Sequence, residues 1–203
     1  MAREAPLFVS FYTNETYRRY AVTLERSLDQ FGLDHEIVPL RETGSWEMNT
    51  RQKAPFLLGM LDRYERDLVW VDADAVVKEY PELLAKGINE DVAIHYYEGR
   101  QPVSGTLYVS NRITAKTFLE RWSEVNRNYK KFDDLNIPMA LERTQGVSGL
   151  QLPVEYCWLE DLMRPQKPEA KPVIVHFRES VRSGKVQQQY KEKPSDGNRK
   201  TPS

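Results

Sequence analysis

Leu68-Val69-Trp70-Val71-Asp72-Ala73-Asp74-Ala75-Val76-Val77 is the stretch that decides the fold. Four apolar residues stop at two aspartates one residue apart. A short continuous apolar run reads as a strand buried on both faces, as strands of parallel sheets are. The aspartates then stand where the strand leaves the core. In open α/β sheets that carboxyl end faces the crevice where ligands bind. Two carboxylates so close repel unless one is protonated or a cation lies between them. A divalent metal carrying a phosphate-rich ligand suits such a pair. Asp-x-Asp is also short enough to arise by chance, and aspartates commonly cap loops and helices, so the surroundings must decide.

Upstream, Leu7 to Tyr12 is β-rich and ends in polar Thr13-Asn14. A helical pattern follows with Tyr20, Leu24, Leu28 and Phe31 on one face, and Gly32 stops it. Ile37 to Leu40 is a short strand whose proline places it at a sheet edge or strand end. Arg41 to Arg51 reads as a polar loop. Pro55 opens a helix with Leu58, Leu61 and Tyr64 on its apolar face. The order β-α-β-α-β predicts a parallel sheet with right-handed crossovers. Downstream, Pro81 to Ala85 is a short helix, and Asp91 to Tyr97 and Thr106 to Val109 are strands. Thr114 to Arg127 is a helix, as is Asp133 to Leu141, where Pro138 threatens continuity. Leu152-Pro153-Val154 is extended, and Val173 to Phe177 is a last strand that delivers His176.

The 203 residues suffice for one domain with a real core. With 40% hydrophobic and 29% charged residues, the composition is that of a soluble globular protein. A net charge of −1 gives no global field toward nucleic acid or membrane. The lone Cys157 excludes an internal disulfide and fits a reducing compartment, so a cytoplasmic location is expected. No signal pattern opens the chain and no apolar run approaches a membrane span. Asn14-Glu15-Thr16 matches a glycosylation sequon, read here as accidental. From Arg178 onward, seven Lys/Arg stand against three Asp/Glu with few apolar residues, and the end reads as a disordered tail.

At this point the sequence resembles the nucleotide-diphospho-sugar transferases with a GT-A-type fold. The resemblance is carried by Lys53-Ala-Pro-Phe-Leu-Leu and Val69-Trp-Val-Asp-Ala-Asp74. It continues in Ser104-Gly105-Thr106-Leu107-Tyr108-Val109, Phe118-Leu119-Glu120-Arg121-Trp122 and Asp133-Asp134-Leu135, then Leu152-Pro153-Val154-Glu155-Tyr156 and Val175-His176-Phe177. It spans about residues 5 to 180. It implies a GT-A-like α/β domain over residues 1–180, with a mixed, mostly parallel central sheet flanked by helices, and a basic tail at 181–203. It further implies hexosyl or pentosyl transfer from a nucleotide-diphosphate sugar, UDP-linked by default, to a hydroxyl acceptor.

The same resemblance implies the site. A Mn²⁺ or Mg²⁺ ion would offset charge that grows on the departing diphosphate. Asp74 and His176 are its first-choice ligands, and Asp72 either shares the metal or touches the ribose. Lys53 or Arg51 would offset phosphate charge. Tyr12, Thr13 and Asn14 are placed to take the base, and Ser104-Gly105 would line the sugar pocket. Asp134, then Asp133, is the expected base of an inverting transfer, with Glu155 and Asp161 as further candidates. Duller roles stand beside these: a satisfied structural histidine, a solvated lysine, a bulge at Ser104-Gly105, and aspartates favouring a helix N-terminus. Asp72-Ala-Asp74 also fits the nucleophile loop of haloacid-dehalogenase-type phosphatases, although that motif normally follows the first strand. A nucleotidyltransferase would want a glycine-rich loop after strand one, and none is present. A sugar-nucleotide-binding protein without turnover is the non-enzymatic alternative. The basic tail leaves DNA as one candidate acceptor, with glycans and small molecules as others.

Overall fold

The computed structural model describes residues 4–129 and 132–179. In chain order the elements begin β1 (Leu7–Tyr12), α1 (Glu15–Gln30), β2 (His35–Pro39), α2 (Trp46–Thr50) and α3 (Lys53–Tyr64). Then come β3 (Leu68–Val71), β4 (Ala75–Val77), α4 (Glu82–Ala85), β5 (Val92–Tyr97), β6 (Gln101–Val109), α5 (Ile113–Asn128) and α6 (Asp133–Glu142). The remainder is β7 (Gly149–Gln151), a 3-10 turn (Val154–Tyr156), β8 (Trp158–Leu159), α7 (Glu160–Met163) and β9 (Ile174–His176).

The central sheet has the order β2-β1-β3-β6-β5-β7. β1 pairs in parallel with β2 and β3, and β5 pairs in parallel with β7. β6 is antiparallel to both of its neighbours, β3 and β5. It is therefore the one reversed strand of the six, and the sheet is mixed but mostly parallel. β2 sits at the edge, as Pro39 suggested.

The buried apolar run is explained by two cores, one on each face. Leu68 and Trp70 belong to the core shared with Leu57 and Leu61 of α3 and Phe118 and Trp122 of α5. Val69 and Val71 belong to the other, with Leu24 and Leu28 of α1. A strand covered on both sides has no polar face to alternate with.

Three sequence expectations are corrected. Residues 46–50 are not loop but α2, with Ser45 accepting the Met48 N–H as its N-cap. The extended segment near Leu152 lies earlier, at β7, and Val154–Tyr156 turns instead. Helix α6 runs unbroken through Pro138. One feature was not foreseen. Val76 and Val77 leave the central sheet and join a second, three-stranded sheet of order β4-β9-β8.

Candidate active site

The Asp72-Ala73-Asp74 turn joins the two sheets. The Asp72 N–H donates to the Gly105 carbonyl at 2.8 Å, so the reversed strand β6 flanks the end of β3. The Ala75 N–H returns to the Asp72 carbonyl at 3.0 Å and tightens the turn. β4 then runs antiparallel to β9 with Ala75 opposite His176. That register sets the imidazole beside the aspartates across a hundred residues of sequence. Ser27 of α1 accepts the Val77 N–H at 3.1 Å and fixes β4 from behind.

One ligand atom from each of Asp72, Asp74 and His176 can be chosen so that all three lie within 4.8 Å of one another. Opposite donors around an octahedral Mg²⁺ are about 4.2 Å apart, so the trio needs little contraction to hold such an ion. The two carboxylates suit Mn²⁺ or Mg²⁺, and of these Mn²⁺ tolerates the imidazole better. His176 is buried, its Nε2 lies 2.9 Å from Thr106 Oγ1, and its Nδ1 has no hydrogen-bond partner. Burial, helped by the Lys53 charge, pulls the imidazole down to about 3, so it is neutral and fit to ligate. Burial and the neighbouring Asp72 charge push the Asp74 carboxyl up to about 7. A cation would remove that conflict.

Gly105 is required by contact. A Cβ built there would stand 3.0 Å from both Cε1 and Nδ1 of His176. Gly105→Ala is expected to displace the ring. Mn²⁺ affinity should fall about 10- to 100-fold, as when a supporting residue is lost. Stability should fall by about 1–3 kcal/mol, the usual overpacking cost. Calorimetric Mn²⁺ titration and urea unfolding measure both. Wild-type Mn²⁺ affinity in this variant would count against His176 as a ligand.

Lys53, at the start of α3, is buried, and its ammonium is a hub. It donates to Ser104 Oγ at 2.7 Å and to the Ser104 carbonyl at 3.1 Å. It lies 3.2 Å from Asp72 Oδ1 and 3.5 Å from Asp133 Oδ2. Burial pulls its pKa down, and the Asp72, Asp133 and Asp134 charges outweigh burial and raise it above the ordinary lysine value. Trp70 also donates its indole N–H to Asp72 Oδ1 at 2.9 Å. Asp134 Oδ1 accepts from the Ser104 hydroxyl and N–H. Burial and the Asp133 charge raise the Asp134 carboxyl to about 7.

The cleft gathers Tyr12, Thr13, Lys53, Asp72, Asp74 and Gly105. Asp133, Asp134 and His176 line it as well. Asn14 instead caps α1, accepting the Tyr17 N–H at 3.2 Å, and its amide donates to Glu42. Arg51 donates to the Tyr129 carbonyl at 3.3 Å. Ser104 acts through its bonds to Lys53 and Asp134. Glu155 is exposed on the 3-10 turn, and Asp161 is paired with Arg178.

Further cleft residues escaped the sequence reading, among them Tyr17, Trp46 and Arg178. A single large aromatic in an otherwise polar segment was the available signal for Trp46. Arg178 sits two residues past His176, in left-handed backbone (φ 48°), gripped by both Asp161 oxygens. Next to it, the Glu179 N–H donates to Asp74 Oδ2 at 2.7 Å. The chain after β9 thus folds back over the aspartates. The disordered tail expected beyond it falls on residues outside those described. Cys157 is buried and its thiol is pushed up to about 12 by burial, the behaviour of an inert small apolar residue.

No family model matches the sequence, and no curated protein does. Solved structures do. A glycosyltransferase involved in glycosylation of the major capsid of PBCV-1 superposes with a TM-score of 0.65 at 12% identity. The match covers 88% of this chain and 95% of that one. The fold is GT-A-like. The glycosyltransferase GlyE of Streptococcus pneumoniae TIGR4 superposes with a TM-score of 0.58 at 13% identity, and its apo form with 0.56 at 15%. This chain spans about half of GlyE, 55% and 54% in the two structures. Among the described residues, no helix is long and apolar enough to cross a membrane.

Proposed function

We propose that this protein is a glycosyltransferase that moves a hexosyl or pentosyl group from a nucleotide-diphosphate sugar, UDP-linked in the first instance, to a hydroxyl acceptor. The observation that carries the reading is the convergence of Asp72, Asp74 and His176 in the cleft of a GT-A-like fold. These three side chains would hold Mn²⁺ or Mg²⁺. Such an ion, when bound, supplies positive charge against the charge developing on the leaving diphosphate.

The chain's own groups do the rest. Lys53 and Trp70 hold Asp72 Oδ1, leaving Oδ2 to face the ligand. Arg178 adds a cation beside the trio for the diphosphate. Tyr12 and Thr13, at the end of β1, take the nucleoside. Asp134 is the base of an inverting transfer. Ser104 occupies its Oδ1, so Oδ2 receives the acceptor's proton, and a carboxyl near 7 is matched to that task at neutral pH. Asp133 stays paired with Lys53. A DNA acceptor was suggested by the basic tail alone.

A thermal-shift screen of UDP, GDP, CDP and TDP sugars, each with and without Mn²⁺, tests the proposal. A ligand specific for the native state raises the melting temperature according to its affinity. One nucleotide series should shift the protein only when Mn²⁺ is present. No shift with any of them would sink the reading, and p-nitrophenyl phosphate hydrolysis with Mg²⁺ would replace it with the phosphatase alternative.

A further inference from the structure

Trp46 bridges the two halves of the site. On one side its ring meets Phe132 edge-on, with centroids 5.7 Å apart and planes at 68°. Phe132 immediately precedes Asp133 and Asp134. On the other side Tyr17 lines the same cleft and interacts with the Trp46 side chain, and among its charged neighbours Tyr17 feels Asp74 most. The indole therefore stands between Tyr17, which feels Asp74, and Phe132, which adjoins Asp133 and Asp134. It is half-buried, so part of it is open to the cleft that it lines. Its mount is short: α2 has five residues, entered through Gly44 at φ 91° and capped by Ser45.

The charge around it is also informative. Four carboxylates (Asp72, Asp74, Asp133, Asp134) line the cleft against two cations, Lys53 and Arg178. Lys53 is already engaged by Asp72 and Asp133, and Arg178 by Asp161. A divalent cation would balance the lining, and the donor diphosphate would then return it to net negative. Nothing is left over to attract an anionic acceptor to Asp134. A pyranose is neutral and presents a face of C–H groups whose slightly positive hydrogens suit the negative face of an indole. Aromatic walls with a few convergent polar groups are the usual make-up of a small-molecule site.

We propose that Trp46 is the stacking face for the acceptor, and that the acceptor is a neutral saccharide. This rests on the glycosyl-transfer reading above. In the step it serves, the acceptor hydroxyl oxygen bonds to the anomeric carbon of the donor sugar. The bond from that carbon to the diphosphate oxygen breaks, its electron pair leaves with the diphosphate, and the hydroxyl proton passes to Asp134.

The test uses the full chain loaded with Mn²⁺ and the nucleoside diphosphate that the thermal-shift screen selects. It is applied to an array of neutral oligosaccharides, sialylated and sulfated glycans, and duplex DNA containing 5-hydroxymethylcytosine. A neutral glycan is expected to bind. Trp46→Ala should weaken it at least about tenfold, the usual consequence of truncating an anchoring tryptophan. Trp46→Phe keeps an aromatic face and should retain binding within about threefold. Melting temperatures of both variants separate lost binding from lost folding. Preference for charged glycans or for DNA overturns the proposal. So does a neutral glycan bound equally by Trp46→Ala, or nucleoside diphosphate binding with no glycan bound. If no nucleoside diphosphate binds with Mn²⁺, the donor reading itself has failed, and this proposal falls with it.

Discussion

An Asp74→Asn protein is expected to lose metal-dependent donor turnover by about a thousandfold or more, while its metal-free form melts several degrees above wild type. The opposite signs come from one arrangement. Asp74 is buried beside Asp72, and burial plus that neighbour raise its carboxyl to about 7. Asparagine keeps the shape and can still accept the Glu179 N–H. It removes only the charge, which is unfavourable without a cation and required with one. The relief is on the order of 2 kcal/mol at pH 8, reduced from the full shift because the two aspartates titrate together.

The pH dependence follows. A carboxyl whose folded pKa lies above its unfolded value, roughly 3.9, binds protons more tightly in the native state. Its contribution is fully present below the unfolded value and is lost as pH rises through the folded one. Asp74 and Asp134 both stand near 7. Metal-free protein should therefore lose stability between about pH 4 and pH 7, opposite in sign to ordinary acid unfolding. Mn²⁺ should reverse the loss, and Asp74→Asn should make it shallower. Melting temperatures across that range in EDTA and in Mn²⁺ measure all three. A metal-free protein that gains stability over the same interval would contradict the arrangement.

What the sequence revealed, and what it hid, follows from where side chains do chemistry. β1, α1, α3 and β3 announce themselves because their apolar residues go to a core. Strand β6 does not. The sequence showed only its second half, Thr106 to Val109, whereas pairing with β5 begins at Gln101. The hidden half carries Pro102, Ser104 and Gly105. Ser104 is buried yet polar because it serves Lys53 and Asp134. Gly105 is small because an imidazole lies against it. The second sheet was hidden for another reason. Ala75-Val76-Val77 reads as a continuation of β3, and only the pairing with β9 reveals a different sheet. Asp72, Asp74 and His176 were legible as residue types in order, but the register that joins them is a tertiary fact. Tyr17, Trp46 and Arg178 carried no periodic signal, since they face a cleft rather than a core or bulk water.

Lys53→Met should be the most destabilising substitution in the site, at about 3–5 kcal/mol near pH 8. Methionine nearly matches the length of the side chain and leaves the charges behind. Asp72, Asp133 and Asp134 would then face one another with the shared cation gone, and Ser104 would lose its donor. Breaking a buried charge network from one side costs more than never having built it. Because the same carboxylates raise the lysine above its ordinary pKa, its contribution persists through neutral pH and disappears only in strong alkali. The penalty should instead shrink in acid, where the orphaned carboxylates take up protons. Urea unfolding at pH 8 and pH 5.5 tests both points, and wild-type stability at pH 8 would show that the ammonium is no hub. Lys53→Arg should fall between the two, since a planar guanidinium keeps the charge but not the compact fit to Ser104 and Asp72. A buried charge network of this kind is costly compared with apolar residues at all of its positions, which argues for a purpose beyond stability. Through one ammonium, α3 is tied to the Asp72 turn, to β6 at Ser104, and to the start of α6 at Asp133. It contacts Asp72, a proposed metal ligand, and through Ser104 the carboxylate proposed to take the acceptor's proton, so in the proposed reaction the two ends would be held by a single charge.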